Sequence, residues 1–177
     1  MEKQLIDLRG TQLTGRILDI GGGGEGVISR HAGEGVIAID RLKEELEESP
    51  DIGLKIVMDA TDMKFLDNTF DNATCFYSLM FMGKQTAEKC LSEAYRVLKP
   101  GGYLWIWDTA MPNKAAKDIF IVQLDVTLEK EEISTGYGIR WNRGQTANDL
   151  YDFCTAVGFT KINCELNGEK IFIKMQK

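Results

Sequence analysis

The chain has 177 residues, a net charge of −6 and a pI near 4.9; this is the length of one domain, and the acidity argues against a nucleic-acid partner. The composition, 44% apolar and 27% charged, is that of an ordinary globular protein, and neither a long apolar run nor the apolar core of a secretory signal occurs. Four separated cysteines and one histidine favour reduced thiols and no metal site. We therefore expect a single cytoplasmic domain over residues 1–177.

The first part of the chain predicts strands that alternate with helices. Residues 1–15 predict a helical or irregular lead-in, in which Leu5, Ile6 and Leu8 form an apolar cap over a sheet. The clearest helix covers 86–98, where one apolar stripe ends at a Lys-Pro-Gly-Gly turn. Short apolar runs predict five buried strands, at residues 16–20, 36–40, 55–59, 70–77 and 103–107.

The second part predicts antiparallel structure. Apolar residues alternate over 120–128 and again over 133–141, which predicts a β-hairpin with one apolar face. A helix over 146–157 follows, and two strands within 160–175 flank the turn Asn167-Gly168. We therefore expect an α/β fold with a doubly wound, mostly parallel seven-stranded sheet and helices on both faces. An antiparallel C-terminal hairpin completes this sheet, and a β-hairpin is inserted after strand five.

The inserted hairpin has two interpretations, which the sequence leaves open. It lies within residues 109–145, where its apolar face would form a lid over a small or apolar acceptor. Over 118–141 the same face would serve as a homodimer interface or extend an edge of the sheet. Trp141 closes the alternating pattern of its second strand.

The first strand ends in a glycine-rich stretch, GGGGEG, at residues 21–26. A strand, a glycine turn and a helix in this order let a ligand approach bare backbone and meet the N–H groups at the start of the helix. Asp19, Asp40 and Asp59 lie at or next to the ends of three successive strands. These ends meet at one edge of a parallel sheet, so the sequence predicts a ligand site there.

The acids of this edge limit the kind of ligand. Three carboxylates would repel a triphosphate, and no Gly-Lys-Ser/Thr sequence is present, so a P-loop is excluded. The spacing Gly21-x-Gly23-x-x-Gly26, with Asp40 nineteen residues after Gly21, leaves a site of the NAD type open. A full NAD domain has two nucleotide-binding halves, however, and this sequence has room for only one such glycine loop.

Four segments resemble the class I S-adenosylmethionine-dependent methyltransferases, of the methyltransferase type 11 kind. They are LDIGGGGEG, VIAID, MDATDMKFLDNTFD and SEAYRVLKPGGYLWI, and the resemblance runs from Arg16 to Trp107. The last segment is the most specific, because a helix, a stop signal and a strand follow one another in one order. The resemblance implies a transferase with S-adenosylmethionine as cofactor, S-adenosylhomocysteine as product and a small-molecule acceptor.

The resemblance also implies roles for residues of the predicted site. The backbone of Gly21 and Gly23 would contact the methionine and ribose portion of the cofactor, and Asp19 would lie near its amino group. Asp40 would accept both ribose hydroxyls, and Asp59 would bind the adenine amino group. Ala60 would place its N–H on the adenine ring, and Tyr77 or Ser78 would border the methionine moiety and the acceptor. The complete predicted set is Asp19, Gly21, Gly23, Asp40, Arg41, Asp59, Ala60, Tyr77 and Ser78.

One position departs from the family pattern, and the reacting groups are not specified. Glu25 stands where the usual third glycine falls, so either Gly26 takes that place or the glycines in use are 22, 24 and 26. A general base is optional, since the sulfonium activates the methyl group; the candidates are Asp108, Tyr77 and Tyr137. Two other functions stay open, a non-catalytic module that binds the cofactor or its product and a small NAD(P)-binding protein.

Overall fold

The computed structural model describes residues 3–112, 119–140 and 143–177. Strands and helices alternate along the first part of this chain, and strands predominate afterwards. The helices are α1 Val27–Ala32, α2 Lys43–Glu48, α3 Lys84–Val97 and α4 Ala147–Val157. The strands are β1 Gln4–Asp7, β2 Ile17–Ile20, β3 Val36–Asp40, β4 Leu54–Val57, β5 Phe70–Phe76, β6 Leu98–Thr109, β7 Ile119–Thr127, β8 Glu132–Arg140, β9 Thr160–Asn167 and β10 Lys170–Gln176.

The central sheet has seven strands in the order β4-β3-β2-β5-β6-β10-β9. The first five of these pair in parallel, whereas β10 runs antiparallel to both β6 and β9. The predicted seven-stranded sheet and its C-terminal hairpin are therefore confirmed. The strand order reverses between β2 and β5, so the crevice in which doubly wound sheets bind ligands lies at the C-terminal ends of these two strands.

The two faces of the central sheet are covered differently. Helices α3 and α4 pack on one face around buried residues such as Leu91 and Leu150. On the other face, α1 shares the cover with a second sheet of three strands in the order β1-β7-β8. The expectation of helices on both faces was incomplete, because the alternating apolar residues of β7 give this second sheet a face that buries Val122 and Leu124.

The lead-in is the main correction to the predicted elements. Strand β1 replaces the expected helical or irregular segment and pairs in parallel with β7, with Gln4 opposite Leu124. Ile6 and Leu8 are buried as expected, but Leu5 is 66% exposed because side chains alternate between the faces of a strand. A four-residue strand has too little periodicity to be recognised without the partner that follows much later in the chain.

The inserted hairpin is confirmed over its described part. Strands β7 and β8 pair antiparallel from Ile119 and Arg140 at one end to Thr127 and Glu132 at the other. Residues 113–118 of the predicted 109–145 segment, and Trp141, lie outside the described residues. In the described part of the chain, no helix has the length and apolar character needed to cross a membrane.

Candidate functional site

The glycine stretch forms a turn that is fixed to its neighbours by backbone hydrogen bonds. The N–H groups of Gly21 and Gly22 both donate to the carbonyl oxygen of Ile39 in β3, at 2.8 and 3.1 Å. The N–H of Gly24 donates to the carbonyl oxygen of Glu45 in α2, at 2.8 Å. The turn is therefore held against the C-terminal end of β3 and the flank of α2.

Close packing explains why glycine is required in this turn. Gly21 has a φ of 75°, and a Cβ atom there would lie 2.5 Å from Cβ of Ser78, which follows β5. A Cβ atom on Gly23 would lie 2.5 Å from Cβ of Glu45. Both contacts are closer than real Cβ atoms allow, so the bare backbone of the turn is needed where it meets β5 and α2.

Asp19 lies beneath the turn and is almost completely buried. Its Oδ1 accepts a hydrogen bond of 2.7 Å from Oγ1 of Thr74, and its Oδ2 would lie 2.5 Å from a Cβ atom on Gly22. Burial, with a smaller contribution from the nearby Asp40 carboxylate, raises the pKa of Asp19 to about 7 against the lowering effect of the Thr74 bond. A cation bound above the turn would favour the charged form of this group.

Asp40 is the last residue of β3, and Asp59 lies two residues past the end of the neighbouring parallel strand β4. Asp40 pairs with Val57 in the β3–β4 ladder, and its carbonyl oxygen accepts the N–H of Met58 at 2.8 Å. The Asp40 side chain, which is half-buried, accepts the N–H of Leu42 at 2.9 Å. The two acids therefore share the edge of the sheet that carries the glycine turn.

The carboxylate of Asp59 is exposed and is oriented by hydrogen bonds within its own turn. Its Oδ1 accepts both the N–H and the Oγ1 hydroxyl of Thr61, each at 2.8 Å. These two bonds lower the pKa of Asp59, and the positive charge of Arg41 contributes in the same direction. Ala60, the next residue, is half-buried beside it. Asp59 therefore stays charged, with its second oxygen facing outward.

Tyr77 and Ser78 lie at the end of β5, on the other side of the turn. Ser78 is buried, and among the described residues its Oγ has no hydrogen-bond partner. Tyr77 is buried too, has a φ of 50°, and donates its hydroxyl to Oε1 of Gln4 at 2.5 Å. An unsatisfied buried hydroxyl is costly, so the Ser78 hydroxyl beside Gly21 indicates a place where a ligand supplies the missing partner.

Asp108 has its oxygens occupied by the protein itself. It is fully buried at the end of β6, and Oδ1 accepts the N–H of Thr109 and Nε2 of Gln145, both at 2.8 Å. Oδ2 accepts the N–H of Met80 at 3.2 Å. Burial raises its pKa to about 6 against these bonds. The arrangement favours a positioning role for Asp108, since it fixes the 3₁₀ turn Leu79–Phe81 after Ser78.

Glu25 connects the glycine turn to the inserted hairpin, a contact that sequence reasoning missed. Its carboxylate accepts the hydroxyl of Tyr137 at 3.0 Å and the hydroxyl of Thr135, both in β8. Its carbonyl oxygen accepts Nε of Arg30 at 2.8 Å. The sequence contained one usable signal, because Thr135 and Tyr137 share the inward-facing parity of the predicted strand. The glycine that the family pattern expects at position 25 could not make this contact.

Glu45 adds a further acid, and sequence reasoning missed this residue as well. It packs against Gly23, and its carboxylate lies close to Gly24, with Oε2 3.4 Å from the position of a Cβ atom there. Its pKa is raised by partial burial, by Asp40 and then by other acids that include Glu25. Carboxylates therefore surround the turn, which suits a cationic ligand better than an anionic one. Within the described ranges, no cluster of three or more His, Cys, Asp or Glu residues could hold a metal ion.

The sequence matches the model of a known family over residues 18–106, the methyltransferase domain. This match covers half of the chain and includes β2, the glycine turn and all strands to β6. The chain belongs to the methyltransferase domain family. The resemblance to class I S-adenosylmethionine-dependent methyltransferases, an enzyme family that uses S-adenosylmethionine as cofactor, is thereby confirmed.

The methyltransferase domain has curated relatives that are longer than this chain. It is 35% identical over 116 residues to the demethylmenaquinone methyltransferase of Renibacterium salmoninarum, which covers 62% of this chain and 47% of that protein. This chain spans about half the length of the curated relatives it matches first.

Solved structures share the fold of the methyltransferase domain. An S-adenosylmethionine-dependent methyltransferase from Methanosarcina mazei superimposes with a TM-score of 0.64 over 96% of each chain, at 20% identity. A protein named the [4+2]-cyclase SpnF superimposes with a TM-score of 0.62 over 86% of this chain and 55% of that chain, at 23% identity. The fold is therefore shared with a protein named for a different reaction, so the activity must be argued from the site.

In this methyltransferase domain, the predicted site residues meet at one edge of the central sheet. Asp19 lies under the turn, Asp40 and Asp59 lie on one side of it, and Tyr77 and Ser78 lie on the other. Arg41 is exposed next to Asp40. That these residues bind a cofactor stays a prediction. Tyr137, on the inner face of the hairpin, lies next to Tyr77 with a ring-centroid distance of 6.0 Å.

Proposed function

We propose that this chain binds S-adenosylmethionine at the glycine turn and transfers its methyl group to a small-molecule acceptor. The observation that carries the proposal is the bare glycine turn with the carboxylates of Asp19, Glu25, Asp40 and Glu45 around it. S-adenosylmethionine carries a sulfonium and an ammonium group, which such a site attracts. The pyrophosphate of NAD would be repelled by the same charges, so this arrangement disfavours the dinucleotide alternative.

The described residues fit the groups of this cofactor one by one. The buried carboxylate of Asp19 would bind the ammonium group, and the unpartnered hydroxyl of Ser78 would gain a polar partner on the methionine portion. Asp40 would accept the two ribose hydroxyls beside the backbone of Gly21 and Gly23. The free oxygen of Asp59 would accept the adenine amino group.

Three further residues border these groups in the proposed complex. The N–H of Ala60 would lie on the adenine ring, next to Asp59. The exposed Arg41 would flank the ribose. Tyr77 would form the wall between the methionine portion and the acceptor, because it is buried next to Ser78 and packs near Tyr137.

When bound, S-adenosylmethionine supplies a methyl group that is already activated by its sulfonium, so the protein has to align the acceptor and exclude water. Burial raises the pKa of both Tyr77 and Tyr137 above the usual value, which keeps their hydroxyls protonated at neutral pH. Asp108 already accepts bonds from several donors. We therefore assign none of these three as a general base and attribute the rate enhancement to positioning.

We propose that the inserted hairpin acts as the lid of this site. Its support is the pair of hydrogen bonds from Thr135 and Tyr137 to Glu25, which fix the inner face of the hairpin to the glycine turn. The apolar face that the sequence offered for a homodimer is buried within the chain at Val122 and Leu124, so a homodimer would have to use the outer face, where Ile119 and Ile121 are exposed. The acceptor would lie under the lid, which favours a small apolar molecule. The curated relative from Renibacterium salmoninarum is named for a quinone substrate, demethylmenaquinone.

Calorimetric titration with S-adenosylhomocysteine and, separately, with NAD tests the cofactor. We expect S-adenosylhomocysteine to bind and NAD to give no heat of binding. Asp40→Ala and Asp59→Ala should each weaken binding by about tenfold or more, whereas Asp51→Ala should not change it, because the Asp51 side chain is fully exposed. Unchanged binding in both site variants, or binding of NAD alone, would contradict the proposal.

Transfer is tested with methyl-labelled S-adenosylmethionine and fractionated small-molecule extract. We expect label in the small-molecule fraction and none in added RNA or DNA. If S-adenosylhomocysteine binds but no fraction accepts label, the chain is a non-catalytic binding module. Sedimentation of the wild type at several concentrations decides whether the outer face of the hairpin forms a dimer.

A further inference from the structure

Arg143 is a half-buried cation that forms no ion pair with a carboxylate among the described residues. Its Nη2 donates to the carbonyl oxygens of Met80 and, at 3.5 Å, of Leu79. Within the part of the chain that the structure describes, its Nε and Nη1 have no hydrogen-bond partner and it forms no ion pair. Burial lowers the pKa of Arg143, which is the sign of a charge with incomplete compensation.

Arg96 shows how this protein satisfies a comparable half-buried guanidinium. Its Nε and Nη2 donate to Glu93, and Nη1 donates to Asp67. Nη1 and Nη2 also reach the carbonyl oxygens of Phe65 and Met63, at 2.8 Å each. All three nitrogens of Arg96 are therefore used, and two carboxylates neutralise it. Arg143 has neither, although it is similarly withdrawn from water.

The position of Arg143 is set by rigid neighbours at the end of β6. The N–H of Gln145 donates to the carbonyl oxygen of Met111 at 2.9 Å, and its carbonyl oxygen accepts the N–H of Met111 at 2.8 Å. The side chain of Gln145 donates to Asp108. Asp108 in turn accepts the N–H of Met80. Because these contacts occupy the oxygens of Asp108, the guanidinium of Arg143 interacts electrostatically with Asp108 but forms no hydrogen bond with it.

Arg143 also lies on the acceptor side of the proposed methyl-transfer site. The two carbonyl groups that it contacts belong to the 3₁₀ turn Leu79–Phe81, which directly follows Ser78. The same turn carries Phe81, whose ring is half-exposed and lies 6.3 Å from the ring of Tyr137 under the hairpin. The guanidinium therefore contacts the turn that carries one ring of this aromatic pair.

We propose that Arg143 binds a carboxylate group of the methyl acceptor, so that the acceptor is a small apolar carboxylic acid. Arg143 keeps three N–H donors on Nε and Nη1 for the two oxygens of such a group, and the rings of Phe81 and Tyr137 contact its apolar body. The cation also offsets the acids around the glycine turn, which would otherwise repel an anionic acceptor. This inference rests on the proposed function only in naming the ligand as the acceptor.

Binding of benzoate and benzamide to the protein saturated with S-adenosylhomocysteine tests the inference. The two probes have the same shape and differ in charge, and their affinities can be followed in the wild type and in every variant through the backbone amide signals of the turn Leu79–Phe81 by NMR. We expect benzoate to bind at least tenfold more tightly than benzamide. Arg143→Gln should abolish this difference, and Arg143→Lys should retain part of it. Arg140→Gln is the matched control, because it removes an equal charge from an exposed position, and it should leave the difference unchanged.

The outcomes separate this inference from the cofactor assignment. Equal affinity for the two probes, or an unchanged preference in Arg143→Gln, would show that Arg143 only anchors the 3₁₀ turn. Displacement of benzoate by millimolar inorganic phosphate would replace the carboxylate class by a phosphate class. Thermal unfolding and S-adenosylhomocysteine titration of each variant verify the fold. If S-adenosylhomocysteine does not bind even to the wild type, the proposed function fails, and titration of the ligand-free protein with the two probes still decides the role of Arg143.

Discussion

The hydroxyl of Tyr137 in the hairpin donates a 3.0 Å hydrogen bond to the carboxylate of Glu25 in the glycine turn. Together with the bond from Thr135, it connects the second sheet directly to the proposed cofactor site. A ligand that orders the turn should therefore also order the hairpin. Loss of the contact should weaken ligand binding at the turn and destabilise the hairpin.

Tyr137→Phe tests this connection. We expect the variant to bind S-adenosylhomocysteine about three- to tenfold more weakly and to lose about 1–2 kcal/mol of unfolding free energy, because a charge-assisted bond is lost and the partly buried carboxylate of Glu25 keeps one partner fewer. Ser134→Ala is the control, since it removes a hydroxyl–carboxylate bond to Asp125 on the outer face of the same hairpin. Calorimetry and urea denaturation measure the two quantities. Equal effects of the two variants on ligand affinity would refute the connection.

Gln4 bridges the two sheets through side-chain hydrogen bonds. It accepts the hydroxyl of Tyr77 at 2.5 Å and donates to the hydroxyl of Thr109 at 2.9 Å. Gln4→Leu should lower the unfolding free energy by about 1–3 kcal/mol, because it leaves the buried hydroxyl of Tyr77 without its partner. The Thr109 hydroxyl keeps its contacts of 3.4 Å with the carbonyl oxygens of Ala110 and Glu169. Gln123→Leu, at an exposed position of β7, should change it by less than about 0.5 kcal/mol.

A second substitution verifies the cause of this loss. Tyr77→Phe in the Gln4→Leu background removes the hydroxyl that has lost its partner, so part of the lost stability should return in urea denaturation. If the double variant is less stable than Gln4→Leu, packing rather than the hydrogen bond explains the effect.

Two buried acids should give the ligand-free protein an unusual pH dependence. The pKa is raised to about 7 for Asp19 and to about 6 for Asp108, mainly by burial. Between the ordinary pKa near 4 and these values, the native state binds more protons than the unfolded state, so the unfolding free energy falls as the pH rises from 5 to 8. The expected fall is on the order of 2–4 kcal/mol.

Asp19→Asn should remove a large part of this fall and make the ligand-free protein more stable than the wild type at pH 8. Asp51→Asn, at a fully exposed side chain, should leave the slope unchanged. Urea denaturation at half-unit intervals of pH measures both. A wild-type stability that rises over this range would contradict the burial of charge at Asp19.

Gly21 should tolerate a side chain much less well than another glycine of the same conformation. Gly10 has a φ of 78° and nothing within 4 Å of an added Cβ atom, whereas Gly21 has a φ of 75° and meets Ser78 at 2.5 Å. Gly10→Ala should therefore cost only the backbone strain, about 1–2 kcal/mol. Gly21→Ala should cost about 1–3 kcal/mol more, because the clash is added to the same strain. Equal losses in urea denaturation would mean that the turn can move away from Ser78.

The site acids were predictable because their positions follow from local sequence. An apolar run that ends in an acid places the carboxylate at the C-terminal end of a strand, and parallel strands bring such ends together. Asp40 obeys this rule, Asp59 lies two residues past the end of β4 instead of at the end of the predicted strand 55–59, and the β7–β8 hairpin obeys the analogous rule of alternation. The bounds of β6 were predicted less well, because the strand already begins at Leu98, where the Lys-Pro-Gly-Gly sequence indicated only a turn.

The contacts that sequence reasoning missed all join residues far apart in the chain. Strand β1 is defined by its pairing with β7, Gln4 by Tyr77 and Thr109, and Glu25 by the hairpin. None of these residues carries a local pattern that names its partner. Arg143 is recognisable only by the partners it lacks, which a sequence cannot show.

The parallel pairing of β1 with β7 restricts how the hairpin can move. Residues 4–7 are hydrogen-bonded along β7 at 124–127, so the hairpin cannot swing outward as a separate flap without tearing this ladder or carrying β1 along. Small molecules would then enter and leave sideways, past Phe81 and the free edge of β8, rather than through an opening above the turn. Entry and release of reactants would then depend on small local movements of Phe81 and β8, and the acceptor would have to be narrow enough to pass between them.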